Sequence, residues 1–244
     1  MSETILITGA AMRLGAALAR GLAGAGHSIV LHYNTSHDAA EALASDIAHA
    51  GGKARTVGSD LTNSANYETL ISRAHDHFGP LTMLINNASQ FRPDEADRVS
   101  EADWMAHFMM HVEAPTQLAA FFSRQLPEGR AGNIINMIDE RVLRVPTKFF
   151  SYTLSKAALW TATKTMALHY APRIRVNAIG PGPSLPERGQ SEEAFRNAQK
   201  ALPLERGPGL DEFAAAVMFF LSAPSVTGQM IALDGGRHLL GPEL

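Results

Sequence analysis

Apolar positions along the chain follow two rhythms in turn. Short unbroken apolar runs, the mark of buried strands, alternate with stretches where apolar residues recur every three or four positions, the mark of helices. The first run predicts a strand over 4–8. Leu14, Leu18 and Leu22 then recur at helical spacing, and Gly24 and Gly26 close that helix. The alternation continues with predicted strands over 27–33, 53–59, 81–86, 132–138, 174–179 and 230–233. Between them it predicts helices over 39–50, 66–78, 104–124, 152–170 and 211–222. Gly51-Gly52 reads as a helix stop, and Pro115 predicts a kink inside its helix. Strands apolar at every position are covered on both faces. The pattern therefore predicts an α/β protein, a doubly wound parallel sheet with helices on both faces, as a single domain over residues 1–244. Residues 180–208 break the rhythm with Pro181, Pro183, Pro186, Pro203 and Pro208, and 183–208 is predicted to be a substrate lid.

Composition narrows the function. At 244 residues the chain suits one large domain with a substantial core. A net charge of −3 leaves no basic footprint for nucleic acid. The absence of cysteine removes disulfides, thiolate metal sites and cysteine nucleophiles, and fits a reducing compartment. The N-terminus runs straight into a strand without the charged and apolar regions of a signal peptide. No apolar run approaches the ~18 residues of a membrane span. A cytoplasmic protein that neither enters a membrane nor binds nucleic acid is expected.

The first strand leads into Thr8-Gly9-Ala10-Ala11-Met12-Arg13-Leu14-Gly15. Glycines at a strand-to-helix turn let the backbone approach a pyrophosphate at a helix N-terminus, a Rossmann-type arrangement. Arg13 and Leu14 stand where another glycine is common, so the motif alone is a weak signal. Arg13 would add a fixed cation beside the phosphates, or is simply a charge on the helix surface. Strand two ends in Tyr33-Asn34-Thr35-Ser36, with no acid before Asp38. A carboxylate there would bind a ribose 2′-hydroxyl and repel a 2′-phosphate, so its absence favours NADP(H) over NAD. The same residues also make an ordinary turn.

Tyr152 and Lys156 lie four apart near a helix start and share one face. An ammonium beside a phenol is expected to lower its pKa and make it a usable proton-transfer group. By itself the spacing is common. In company with Thr8-Gly9…Gly15, Asp60-Leu61, Asn86-Asn87-Ala88, Arg175-Val176-Asn177…Pro181-Gly182 and Thr227-Gly228…Asp234-Gly235-Gly236, it resembles the short-chain dehydrogenase/reductase family over almost the whole chain. The resemblance implies that Gly9, Leu14 and Gly15 hold the pyrophosphate and that Asp60 and Leu61 meet the adenine. It implies that Asn87 and Ala88 support the cofactor, and that Pro181 and Gly182 lie by the nicotinamide. Tyr152 would be the acid/base and Lys156 would bind the nicotinamide ribose. A homotetramer is implied in the same way.

Two departures sharpen the reading. Asp139 stands thirteen residues before Tyr152, where the family usually has a serine. His111 precedes Ala114-Pro115, where a relay asparagine is usual. With Arg13, His32-Tyr33, and Asn87-Ala88-Ser89 followed by Phe91, these features resemble the pteridine reductase branch, which includes dihydromonapterin and dihydrofolate reductases. That resemblance implies that Phe91 stacks the pterin against the nicotinamide, that Arg13 and Ser89 touch cofactor or substrate, and that Ser184 lines the pocket. A buried loop aromatic is the plainer reading of Phe91. An ionised Asp139 poorly suits a ketone, whose developing alkoxide it would face. It better suits an imine, where a proton must reach a ring nitrogen.

The expected activity is thus NADPH-dependent reduction of a pterin-type substrate, with Asp139, Tyr152, Lys156 and His111 as the catalytic set and no metal. His107 and His111 are four apart but lack a third ligand. Arg141 and Arg144 either meet an anionic substrate tail or face solvent. The competing readings are a reductase of 3-oxoacyl or sugar ketones on the same fold, and a nucleotide-binding protein without catalysis.

Overall fold

The computed structural model describes residues 2–187 and 189–241. Arg188 of the expected lid, and residues 1 and 242–244 of the expected domain, lie outside the described residues. Seven strands form one parallel sheet: β1 Thr4–Ile7, β2 Ser28–Tyr33, β3 Lys53–Gly58, β4 Met83–Asn86, β5 Gly132–Met137, β6 Ile174–Pro181 and β7 Met230–Leu233. Their order is β3-β2-β1-β4-β5-β6-β7, every neighbouring pair parallel.

The expected two-faced burial is present, and the strand period of two explains it. Ile5, Ile7, Met83, Ile85, Ile135 and Met137 point to one face. There they meet α1 (Arg13–Gly24), α2 (His37–His49) and α8 (Leu210–Ser222) through Leu18, Leu22, Leu43, Phe213 and Phe220. Leu6, Leu84 and Ile134 point to the other face. They meet α3 (Tyr67–Phe78), α5 (Ala114–Gln125) and α6 (Phe150–Tyr170) through Leu70, Leu118, Phe122 and Met166. The order of strand addition reverses between β1 and β4, so a crevice opens beyond the carboxyl ends of these strands, where doubly wound folds bind ligands.

The helix expected over 104–124 differs in an informative way. It is α4 (Glu101–Phe108), a π-helical segment Met109–Glu113, and α5 in succession. Pro115 has no N–H to donate to the carbonyl four residues back. The chain widens instead: the Ala114 N–H donates to the Met109 carbonyl, and Thr116 Oγ1 donates to the Val112 carbonyl at 2.8 Å. The π turn contains His111, and such insertions often mark functional sites. The expected lid holds an extended stretch and one exposed helix, α7 (Glu192–Lys200), with no buried residue. No helix among the described residues is long and apolar enough to cross a membrane.

Candidate active site

The site is built where β1, β4 and β5 end. At the first turn, Gly9 has φ +61°, and Arg13 is also left-handed at +54°. A Cβ on Gly15 would come within 2.4 Å of the Gly9 carbonyl, so only glycine fits between the turn and α1. The turn is clamped from three sides. Asn87 Nδ2 donates to the Thr8 and Gly9 carbonyls at 2.8 and 3.0 Å. The Asn87 and Ala88 amides donate to Thr8 Oγ1. The Gly9 N–H donates to His32 Nδ1 at 3.0 Å, which leaves Nε2–H to donate to the Ser59 carbonyl at 2.9 Å. Burial pushes the His32 pKa down to about 4, so the ring stays neutral and can accept that bond. No side chain among the described residues caps α1, and its first turn carries no acid. Its N-terminal N–H groups therefore present an anion site beside the glycines.

The second turn matches the cofactor expectation in chemistry. Tyr33 lies over Gly58, where a Cβ would meet its ring at 3.0 Å, and Asn34 and Thr35 are exposed beside it. Ser36 begins α2. Asp60 Oδ1 accepts from the Thr62 amide and hydroxyl, fixing the end of β3. The Leu61 side chain belongs to the core with Val57 and Leu70, and its carbonyl accepts from Tyr67 Oη. Leu14 likewise packs partly into the core. Gly182 lies flat on Asp234, where a Cβ would meet Cα at 2.5 Å, and its N–H bonds the Leu233 carbonyl. Pro181 ends β6, and Ser184 is half-buried beyond it.

The structure brings Asp139, Tyr152, Lys156, His111, Ser89 and Phe91 together. Tyr152 Oη donates to Asp139 Oδ2 at 2.8 Å. Asp139 is set by the turn after β5, where its Oδ1 accepts from the Arg141 amide at 2.9 Å. Lys156 Nζ donates to the Met137 carbonyl at 2.8 Å and lies 5.8 Å from the centre of the Tyr152 ring. The expected lowering of the Tyr152 pKa is overturned. Burial raises it well above 10 and the Asp139 carboxylate adds to this, while Arg141 and Ser89 oppose. Burial also brings Lys156 down to about 8, against the pull of Asp139. Tyr152 is therefore a firmly protonated phenol, suited to act as an acid.

Phe91 stacks on Phe149 at 4.3 Å and 16°, and meets the Tyr152 ring edge-on at 4.7 Å. Phe149, not singled out by sequence, is left-handed at φ +61° immediately before α6. Arg141 does not face solvent. It pairs with Asp139 and Glu187, each at 3.3 Å, and lies about 5 Å from both phenylalanine rings. Arg144 Nε donates to the Gly241 carbonyl. Arg13 Nη2 donates to the Pro186 carbonyl at 2.9 Å, so both Arg13 and Arg141 touch the expected lid segment.

Sequence reasoning also missed Asp94. The N-terminus of α6 lacks a local side-chain cap. Asp94, buried in the loop after β4, supplies one by accepting from the Ser151 amide at 3.1 Å and from the Ser151 hydroxyl. Its carbonyl accepts from the Phe149 amide at 2.8 Å. No local pattern marks a cap that comes from 57 residues away.

Comparison with known proteins shows the family and the fold. A family model described as enoyl-(acyl carrier protein) reductase matches residues 9–238. A solved structure of FolM alternative dihydrofolate reductase 1 from Brucella canis, complexed with NADP, is 46% identical and superposes with a TM-score of 0.94. The match covers 97% of this chain and 94% of that one. Pteridine reductase 1 of Leishmania tarentolae is 30% identical, covering 96% of each chain. A 3-oxoacyl-[acyl-carrier-protein] reductase of Synechocystis is 29% identical over 96% of each.

Proposed function

The chain belongs to the short-chain dehydrogenase/reductase family and is an NADP-dependent oxidoreductase, and from this premise we propose that it reduces a dihydropterin-type ring such as dihydromonapterin or dihydrofolate. The observation that carries the reading is the Tyr152–Asp139 hydrogen bond of 2.8 Å beside the Phe91 ring. A ketone reductase needs a neutral hydroxyl to hold the substrate oxygen. Here the partner of the acid is a carboxylate, which suits protonation of a ring nitrogen. Names of the relatives point the same way, since pterin and folate reductases are among them.

The residues fit the cofactor. Gly9, Gly15 and the uncapped start of α1 would take the pyrophosphate. Asn34, Thr35 and Ser36 would take the 2′-phosphate, Asp60 the adenine, and Ala88, Lys156, Pro181, Gly182 and Ser184 the nicotinamide half. Bound NADPH supplies the hydride. Tyr152 Oη would pass its proton to the ring nitrogen next to the carbon that receives it. A phenol this weak in acidity suffices, because nitrogen becomes strongly basic as hydride arrives. The resulting phenolate would lie against Asp139, and that like-charge contact favours prompt reprotonation by a proton from solvent water, with Arg141 and Lys156 holding the pair meanwhile. Phe91 would stack the ring, and Arg13 and Ser89 would meet its polar edge. The segment 183–208 would act as a lid through Pro186 and Glu187. The assembly we propose is a homotetramer, to be read by light scattering.

The test is NADPH oxidation, followed by absorbance, with a 7,8-dihydropterin, dihydrofolate and a 3-oxoacyl thioester in parallel. Turnover of the dihydropterin is expected. Turnover of the thioester alone would replace the substrate class and leave the cofactor in place.

A further inference from the structure

His107 and His111 lie four residues apart and their rings stack. Each has both ring nitrogens engaged, and the partners match in kind, a loop N–H and a serine hydroxyl of α6. The Gln90 N–H donates to His111 Nε2 at 3.2 Å, and the Arg92 N–H donates to His107 Nε2 at 3.3 Å. A nitrogen that accepts from an amide carries no proton, so each ring is the Nδ1–H tautomer. His111 Nδ1 then donates to Ser155 Oγ at 2.8 Å, whose hydroxyl donates to the Tyr152 carbonyl at 2.7 Å. His107 Nδ1 donates to Ser151 Oγ at 2.7 Å, whose hydroxyl donates to Asp94. The two rings stack at 5.7 Å and 12°, and both meet the Tyr152 ring edge-on, at 5.8 and 5.3 Å. All four side chains, His107, His111, Ser151 and Ser155, are at most 1% exposed.

The result is a two-rung ladder. Each rung runs from the loop after β4, through an imidazole of the α4–π helix, to a serine of α6. Loop amides at 90 and 92 bracket Phe91, and serines at 151 and 155 bracket Tyr152. Phe91 is itself exposed on a loop with few buried side chains, so beside its stacking on Phe149 and the Asp94 anchor these two bonds flank it directly and hold it relative to the acid. Ser89 Oγ lies 2.9 Å from His111 Nε2 and is ordered by the same ring.

We propose that His107 and His111 are positioning residues that fix the Phe91 stacking face relative to the Tyr152 proton, and so set selectivity for a flat ring substrate. The substrate part rests on the pterin reading above; the ladder itself does not. Geometry separates the two halves of each rung. A glutamine amide reaches about as far as imidazole Nε2 and can accept from the loop N–H. An asparagine amide reaches only as far as Nδ1 and keeps the serine bond while dropping the loop.

The experiment compares His107→Asn, His107→Gln, His111→Asn and His111→Gln. Amide hydrogen exchange at Arg92 and Gln90 is read together with steady-state kinetics on the dihydropterin. The asparagine variants are expected to lose protection at the matching amide, and the glutamine variants to restore it. The KM for dihydropterin should rise about fivefold in the asparagine variants, the loss of one net hydrogen bond, with the KM for NADPH steady. Glutamine should bring it back to within about twofold. A merely structural role would lower melting temperature in both kinds of variant without this split. Equal protection in the asparagine and glutamine variants overturns the ladder, as does a protection split with no KM split. If the protection split appears but wild-type protein turns over no pterin, the ladder stands and the substrate reading falls.

Discussion

Glu140, next to the Tyr152 partner Asp139, should make stability fall as pH rises from 5 to 8. It is 1% exposed, with Oε1 at 3.3 Å from Arg237 Nη1, while Oε2 has no hydrogen-bond partner among the described residues. Burial and the adjacent Asp139 charge push its pKa up from 4.5 to about 7, against the pull of Arg237 and Arg141. The folded state thus holds a proton that the unfolded chain has lost between these two values. Stability linked to Glu140 is complete below pH 4.5 and is lost as pH rises through 7. A difference of this size corresponds to about 3 kcal/mol. Glu140→Gln cannot ionise and keeps an oxygen for Arg237. Urea unfolding followed by the fluorescence of Trp104 and Trp160 would compare the two proteins across this range. Near pH 4.5 the two stabilities should be similar. At pH 8 the variant should be more stable by up to about 3 kcal/mol, a midpoint higher by about 1 M urea for an m-value near 3 kcal/mol/M. A constant gap across pH, or a variant less stable at pH 8, would refute the assignment of a strained buried carboxylate.

Other consequences are as direct. Tyr152→Phe should lower kcat by about 100-fold or more, the usual worth of a general acid, with NADPH binding retained by fluorescence titration; near-normal turnover would remove Tyr152 from the chemistry. Gly15→Ala places a Cβ 2.4 Å from the Gly9 carbonyl and 2.7 Å from Asn87 Nδ2. It should weaken NADPH binding about tenfold or more by calorimetry, since the turn must open to admit it. Lys156, lowered to about 8, binds fewer protons folded than unfolded above that pH. Stability should therefore rise from pH 8 to 9.5 by about 2 kcal/mol relative to Lys156→Met, and a flat difference would show that the buried ammonium is not strained.

The sequence by itself determined what repeats locally. Strand runs and helical spacing placed all seven strands and the helices that cover the sheet, because side-chain direction follows from period alone. The glycines of the first turn were legible because the positive φ of Gly9 and the approach of Gly15 to the Gly9 carbonyl are set within the turn itself. Tyr152 and Lys156 were legible because four residues make one helical turn.

Tertiary structure decided which distant groups meet and what their charges become. Thirteen residues separate Asp139 from Tyr152, 44 separate His111 from Ser155, and 57 separate Asp94 from Ser151. No pattern within one element encodes these contacts, since they arise where β4, β5, α4 and α6 converge. The direction of the Tyr152 pKa shows the same division. Spacing places an ammonium nearby, which argues for a lower value. Folding buries the phenol and turns it to a carboxylate, and desolvation together with that like charge outweighs the opposing Arg141 charge and Ser89 hydrogen bond. A residue's neighbours in the chain set its conformation, whereas the dielectric and partners that set its acidity belong to the folded whole.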